Sequence, residues 1–263
     1  MEKQGKLYLG TNTKMYKTIA QTQEFLTRLR EETADISRER LELFVIPSYT
    51  ALFQARRCVP FQEIRLGAQN MGWEDEGQFS GEISPGMIQE TGAELVMIGH
   101  SERRHVLLET DEMERKKVAC ALRHGLTPLL CVGETGEEKR LGLSDERLRM
   151  QLKADLYGLT PEEAGRLWIA YEPVWAIGVG GTPASKEYAE EKHGIIRECL
   201  EELFGKATGR RIPLLYGGSV NRENASELIQ RKNIDGLFIG RAAWQAEAFA
   251  AMIREVLPLW ERK

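Results

Sequence analysis

Eight short runs of β-forming and apolar residues, spread along 263 residues with longer amphipathic segments between them, narrow the folds open to this chain. They lie at residues 6–10, 41–46, 64–68, 95–98, 127–132, 167–171, 213–216 and 236–239. Segments of helical period separate them, such as residues 18–36, 113–123 and 185–204. Strands alternating with helices predict βαβ units and a parallel sheet. Eight such units in a chain of about 250 residues fit a closed (β/α)8 barrel better than an open sheet. Pro and Gly are spread through the turns and no linker divides the chain, so one domain over residues 1–263 is expected.

Local signals agree. Ser84-Pro85 predicts a helix N-cap followed by proline at the first helical position, and Thr160-Pro161-Glu162-Glu163 adds a capping-box glutamate. Composition removes several function classes. A net charge of −4 offers no basic footprint for nucleic acid or a membrane surface. Cys58, Cys120, Cys131 and Cys199 form no Cys-x-x-Cys pair, so neither a disulfide framework nor a metal site is expected. The polar start at Met1 lacks the apolar stretch of a signal peptide, and no run of roughly 18 apolar residues exists to span a membrane. A cytoplasmic enzyme is the expectation.

In a parallel barrel every strand points the same way, and chemistry gathers at the carboxyl ends. After the first strand come Asn12 and Lys14; after the fourth, His100, Ser101 and Glu102. The sixth ends in Glu172, the seventh in Gly217-Gly218-Ser219, the eighth in Gly240-Arg241. Taken singly, Lys14 reads as a solvated lysine, His100 as a structural histidine, Glu172 as a helix cap and Gly-Gly-Ser as a turn. Their joint placement at strand ends is what points to an active site. Glu172, followed by a proline and then a glycine-rich loop, is placed as a general base under a lid. Glycine turns after the last two strands expose backbone N–H groups to an anion. With neither a Walker lysine nor a dinucleotide fingerprint, a small phosphorylated metabolite is favoured over a nucleotide. His105, His124 and His193 read as surface or packing residues, and the charged run at residues 112–117 as a solvated helix face. Trp244, Phe249, Met252, Val256 and Leu257 read as core.

These motifs resemble the triosephosphate isomerase family over essentially the whole chain. The matching stretches include Gly10-Thr11-Asn12-Thr13-Lys14-Met15, Gly67-Ala68-Gln69-Asn70, Phe79-Ser80-Gly81-Glu82-Ile83-Ser84, Ile98-Gly99-His100-Ser101-Glu102-Arg103-Arg104, Ala170-Tyr171-Glu172-Pro173-Val174-Trp175-Ala176-Ile177-Gly178 and Leu215-Tyr216-Gly217-Gly218-Ser219. The resemblance implies a TIM barrel and a cofactor-free aldose–ketose isomerase interconverting D-glyceraldehyde 3-phosphate and dihydroxyacetone phosphate through an enediol. That family is itself a standard illustration of pKa tuning and lid closure, so the roles below are carried over from it. Glu172 would be the base, His100 the neutral electrophile with Ser101 beside it, Lys14 a fixed positive charge held by Glu102, and Asn12 an orienting donor. Gly178, Gly218, Ser219, Gly240 and Arg241 would hold the phosphate, and residues 173–183 would form the lid. The loop of residues 69–83 resembles the one by which a subunit enters its neighbour, implying a homodimer.

Departures bear on the substrate. Thr13 stands where the family usually has tryptophan, residues 179–183 break the lid pattern, Ser80 replaces a threonine, and Arg241 replaces a glycine. Arg241 either offers only its backbone N–H or reaches the phosphate or a longer sugar. Gly240-Arg241-Ala242-Ala243-Trp244 also resembles a side branch that isomerises L-erythrulose 1-phosphate, which stays as an alternative. A non-catalytic barrel that binds phosphorylated metabolites is a second alternative, opposed by the intact Glu172, His100 and Lys14.

Overall fold

In the computed structural model, which describes residues 5–178 and 181–263, eight parallel strands close into a barrel in sequence order. They are β1 (Leu7–Asn12), β2 (Leu41–Ile46), β3 (Arg65–Ala68), β4 (Leu95–Ile98), β5 (Thr127–Val132), β6 (Trp168–Tyr171), β7 (Leu214–Tyr216) and β8 (Gly236–Ile239). The barrel closes where β1 pairs with β8, Tyr8 opposite Gly236 and Thr11 opposite Ile239. At least one helix follows each strand, and the helices form the outer layer. The expected (β/α)8 architecture is therefore the observed one. No helix among the described residues is long and apolar enough to cross a membrane.

Strand side chains alternate in direction, and here the two rows feed two separate cores. Along β2, Leu41, Leu43 and Val45 face the helices, whereas Phe44 and Ile46 enter the barrel with Leu95, Met97, Leu129, Trp168, Ala170, Leu215 and Phe238. The interior is thus packed with side chains, and only its carboxyl end is left for chemistry. Continuing the inward row of β6 from Trp168 and Ala170 by one step gives Glu172; that of β7 gives Gly217, and that of β8 gives Gly240. The pleat itself aims Glu172 and the two glycine turns at one mouth.

The helix caps form as read from sequence. Ser84 caps Pro85–Glu90 through the Met87 N–H, and Thr160 with Glu163 makes a full capping box on Pro161–Ala164. Four expectations need correction. β1 runs on to Asn12, so Asn12 is the last strand residue and does not follow the strand. The helix expected over residues 18–36 stops at Glu32, because Arg38 gathers the carbonyls of Thr33, Ile36 and Glu63 and holds the chain in a turn. The charged run at residues 112–117 is not wholly solvated: Glu114 and Lys117 are buried, with the Lys117 ammonium bonded to Asn70 Oδ1 at 3.0 Å and to Glu109 at 2.6 Å. Met71, within the loop of residues 69–83 expected to enter a neighbouring subunit, is fully buried in its own chain. Of the three histidines set aside as surface or packing, His193 is a packing residue, fully buried against Tyr171 and Tyr216.

Candidate active site

The carboxyl ends of the strands enclose a cavity of about 720 Å³ lined by Asn12, Lys14, His100, Glu102, Glu172, Gly178, Gly218, Ser219, Gly240 and Arg241. These ten come from both ends of the chain and from strands on opposite sides of the barrel. Ser101, the remaining sequence candidate, lies behind the cavity wall.

Glu172 is 3% exposed and sits between two donors. The backbone N–H of Ser101 donates to its Oε2 at 3.1 Å, and His100 Nε2 is 3.5 Å from Oε1. Ser101 thus meets the carboxylate through its main chain. Glu172 is fixed from behind as well, since its own N–H donates to the Val132 carbonyl at 2.7 Å. Gly133 makes that approach possible: a Cβ there would lie 1.9 Å from the Glu172 carbonyl oxygen. Beneath the carboxylate, burial first and the Glu172 charge second push the Cys131 thiol well above its ordinary pKa, so it faces Glu172 as a neutral thiol.

His100 is aimed by a turn. Gly99 takes φ 71°, where a side chain is strained, and the chain then reverses into helix Ser101–His105 with His100 as its N-cap. The Glu102 N–H donates to His100 Nδ1 at 3.2 Å. An accepting Nδ1 carries no hydrogen, so in the neutral ring the proton is on Nε2, which faces Glu172 and the cavity. The arrangement presents a neutral N–H donor beside a carboxylate, as general acid–base chemistry requires.

Lys14 adopts φ 50°, uncommon for a residue with a side chain. Asn12 Oδ1 accepts from the Lys14 N–H at 2.7 Å and from Gln69 Nε2 at 3.0 Å, and the same Gln69 nitrogen donates to the Lys14 carbonyl at 2.7 Å. This clasp holds the ammonium within 2.7 Å of Glu102 Oε1. Gln69 was legible only as part of a motif; its clasping role needed the closed barrel, which brings the carboxyl ends of β1 and β3 within reach of each other past β2. Trp244 is a second residue whose role the sequence did not show. Read as core, it lines the cavity, donates from Nε1 to the Asn12 carbonyl at 3.0 Å and packs on Tyr16 with ring centroids 4.7 Å apart.

Beside the two glycine turns, Gly218, Ser219, Gly240 and Arg241 line the cavity, and Asn224 Nδ2 ties the Ser219 carbonyl down at 2.9 Å. Residues 241–243 form a single 3-10 turn, and the last helix begins after it, at Ala246. No hydrogen bond or ion pair with another described residue engages the Arg241 guanidinium. The near end of the proposed lid is anchored on Glu134, a fully buried carboxylate at the end of β5. It accepts from Trp175 Nε1 at 2.8 Å, Tyr188 Oη at 2.8 Å and Tyr171 Oη at 3.0 Å. Val179 and Gly180, within the expected lid of residues 173–183, lie outside the described residues.

A family model described as triosephosphate isomerase matches residues 7–256. An L-erythrulose-1-phosphate isomerase of Rhizobium etli is 47% identical over 253 residues, covering 95% of this chain and 92% of its own. Another of that name from Rhizobium meliloti is 43% identical over 260 residues, with 97% and 98% covered. A triosephosphate isomerase of Carboxydothermus hydrogenoformans is 42% identical over 249 residues, with 95% and 98% covered. With a barrel closed by eight parallel strands, Glu172 and His100 side by side at its mouth, and a match spanning almost its whole length, the chain is an isomerase belonging to the triosephosphate isomerase family.

Proposed function

We propose that this enzyme moves a proton between adjacent carbons of a short ketose phosphate, the whole chain acting as one barrel domain. Glu172 Oε1 takes the proton from the carbon beside the carbonyl, and His100 Nε2–H donates to the carbonyl oxygen as charge builds there. Lys14 supplies a fixed positive charge and Asn12 orients the oxygen. Donors placed where charge develops are worth about 10²–10³ in rate each. The phosphate is held by backbone N–H groups of Gly178, Gly218, Ser219, Gly240 and Arg241, with residues 173–183 closing over an enediol that would lose phosphate in water. The scheme uses no cofactor. One observation carries it: Glu172 and His100, 72 residues apart, face each other at 3.5 Å at the cavity, with His100 Nδ1 taken up by the Glu102 N–H and Nε2 left towards the carboxylate.

Two substrates fit this chemistry. The carbonyl, the phosphomethyl group and the enediol are common to dihydroxyacetone phosphate and to L-erythrulose 1-phosphate, which adds one hydroxymethyl group on the reacting carbon. We favour the four-carbon sugar. Arg241, a guanidinium at the cavity wall without a partner among the described residues, departs from the family's glycine there, and the relative at 47% identity is named for that substrate. The triose reading is supported by the relative at 42%. Incubation with each sugar phosphate in deuterated water, following exchange and kcat/KM, tests both levels. No exchange with either would end the isomerase reading, and a kcat/KM ratio favouring the triose would overturn the substrate assignment.

We further propose a homodimer through residues 69–83. Phe79 is 45% exposed in that loop, and Leu107 and Leu108 are more exposed still. Together with Trp73, Met87 and Met113 they line a surface cavity, with charged residues such as Glu74 and Glu82 beside them, that a second copy would cover. Sedimentation of an active monomer would refute this.

A further inference from the structure

Away from the catalytic cavity, three side chains of different chemistry converge behind the 69–83 loop. Asp75 belongs to that loop, while Cys120 and His124 stand one turn apart at the end of helix Asp111–Arg123. One donor atom from each, a carboxylate oxygen, the Cys120 sulfur and a His124 ring nitrogen, lies within 4.8 Å of the other two.

The hydrogen bonding around His124 shows what the cluster lacks. Its Nδ1 is 2.9 Å from the Cys120 carbonyl oxygen, which can only accept, so Nδ1 carries the hydrogen. Nε2 of the neutral ring then turns a lone pair towards Asp75 Oδ1 at 3.3 Å. Two acceptors facing each other at that distance call for a cation between them, either a proton or a metal. A backbone carbonyl on the far nitrogen is also the arrangement that fixes a metal-ligating histidine. A separation of about 3.3 Å is the edge expected between nitrogen and oxygen ligands of a tetrahedral zinc ion with bonds of about 2.0–2.1 Å. Arg123 already sends a guanidinium to the spot, 3.0 Å from Asp75 Oδ1 and 3.5 Å from Cys120 Sγ, and with 57% of its side chain exposed it can swing into solvent.

We propose that Asp75, Cys120 and His124 form a binding site for a thiophilic divalent cation of the zinc class, with water completing a tetrahedron. A mixed sulfur, nitrogen and oxygen donor set suits such an ion and not magnesium or calcium, which prefer oxygen alone. As the sulfur–metal bond forms, the thiol proton passes to solvent and no electron is transferred. The ion displaces the Arg123 head group and ties the 69–83 loop to the helix behind it.

Cobalt(II) titrated into the full-length enzyme tests the site, because a cysteine ligand produces thiolate-to-cobalt charge-transfer absorption. One equivalent per chain should give the band, and zinc should abolish it. Cys120→Ala should remove the band, and His124→Gln should weaken cobalt binding roughly tenfold or more. Arg123→Met, which removes the competing cation, should tighten it. Thermal melts by circular dichroism establish that each variant is folded. A wild-type enzyme with no band at saturating cobalt, or a band that survives in Cys120→Ala, overturns the proposal. Unchanged affinity in Arg123→Met overturns the displacement step.

Discussion

Acidification should unfold this protein partly through one buried ring behind the active site. His193 is fully buried, with its Nδ1 3.2 Å from the Asn233 carbonyl and its Nε2 without a partner among the described residues. It packs edge-on against Tyr171, centroids 5.7 Å apart, and lies 6.2 Å from Tyr216. Those two tyrosines end the strands that carry Glu172 and Gly217. Burial drives its pKa down from 6.5 to about 3, the Asn233 carbonyl opposing only in part. Below pH 6.5 the unfolded chain takes up a proton that the folded chain refuses, so stability is lost as pH falls from 6.5 towards 3. Each pH unit in that window costs about 1.4 kcal/mol, which makes about 2 kcal/mol at pH 5 relative to pH 7.5. The variant His193→Gln keeps a donor for Asn233 but cannot titrate. Urea unfolding of both proteins at pH 7.5 and 5.0, at one fixed protein concentration, isolates the effect. Wild type should lose about 2 kcal/mol more than the variant across that interval. Parallel losses in the two proteins would refute the claim that His193 is buried neutral.

Other perturbations address the site directly. Glu172→Asp withdraws the carboxylate by one methylene and should cut kcat roughly a hundredfold with the melting temperature preserved; an unchanged rate would remove Glu172 as the base. Gly133→Ala would place a Cβ 1.9 Å from the Glu172 carbonyl oxygen, forcing the backbone of the base to move. A loss of kcat at least as large as that of Glu172→Asp is expected, read by steady-state isomerisation, and near-normal turnover would show that the contact relaxes freely. Trp244→Phe keeps the ring against Tyr16 but deletes the N–H bonded to the Asn12 carbonyl. It should cost about 1 kcal/mol, a roughly fivefold fall in kcat/KM, and no change would deny Trp244 a positioning role.

Much of the barrel could be read from residue order alone. The eight apolar runs fall on the eight strands because a strand buried on both faces must be apolar throughout, and that requirement is local. Caps at Ser84 and Thr160 were legible for the same reason, since an N-cap oxygen bonds an N–H two or three residues on. Glu172 was legible as a polar residue at the end of an apolar run. Depth was not. Helical period shows which face Lys117 and Glu114 occupy, but not that neighbouring helices and the Glu109 loop close over that face. Trp244 has the spacing of a core residue and sits at the cavity because residues 241–243 make a separate turn before the last helix begins. Met71 follows a strand as any loop residue would, and only the packed chain shows it sealed inside.

The order of the residues determined the fold class, the family and the set of polar groups at the strand ends. Tertiary structure decided what those groups are to one another: which imidazole nitrogen bears the proton facing Glu172, that Gln69 clasps Asn12 to Lys14, and that Asp75 meets Cys120 and His124. The division has a physical cause. Strand, helix and cap are set by interactions spanning a few residues, whereas a hydrogen bond or an ion pair acts over about 3 Å in space and takes no account of how far apart its partners lie along the chain.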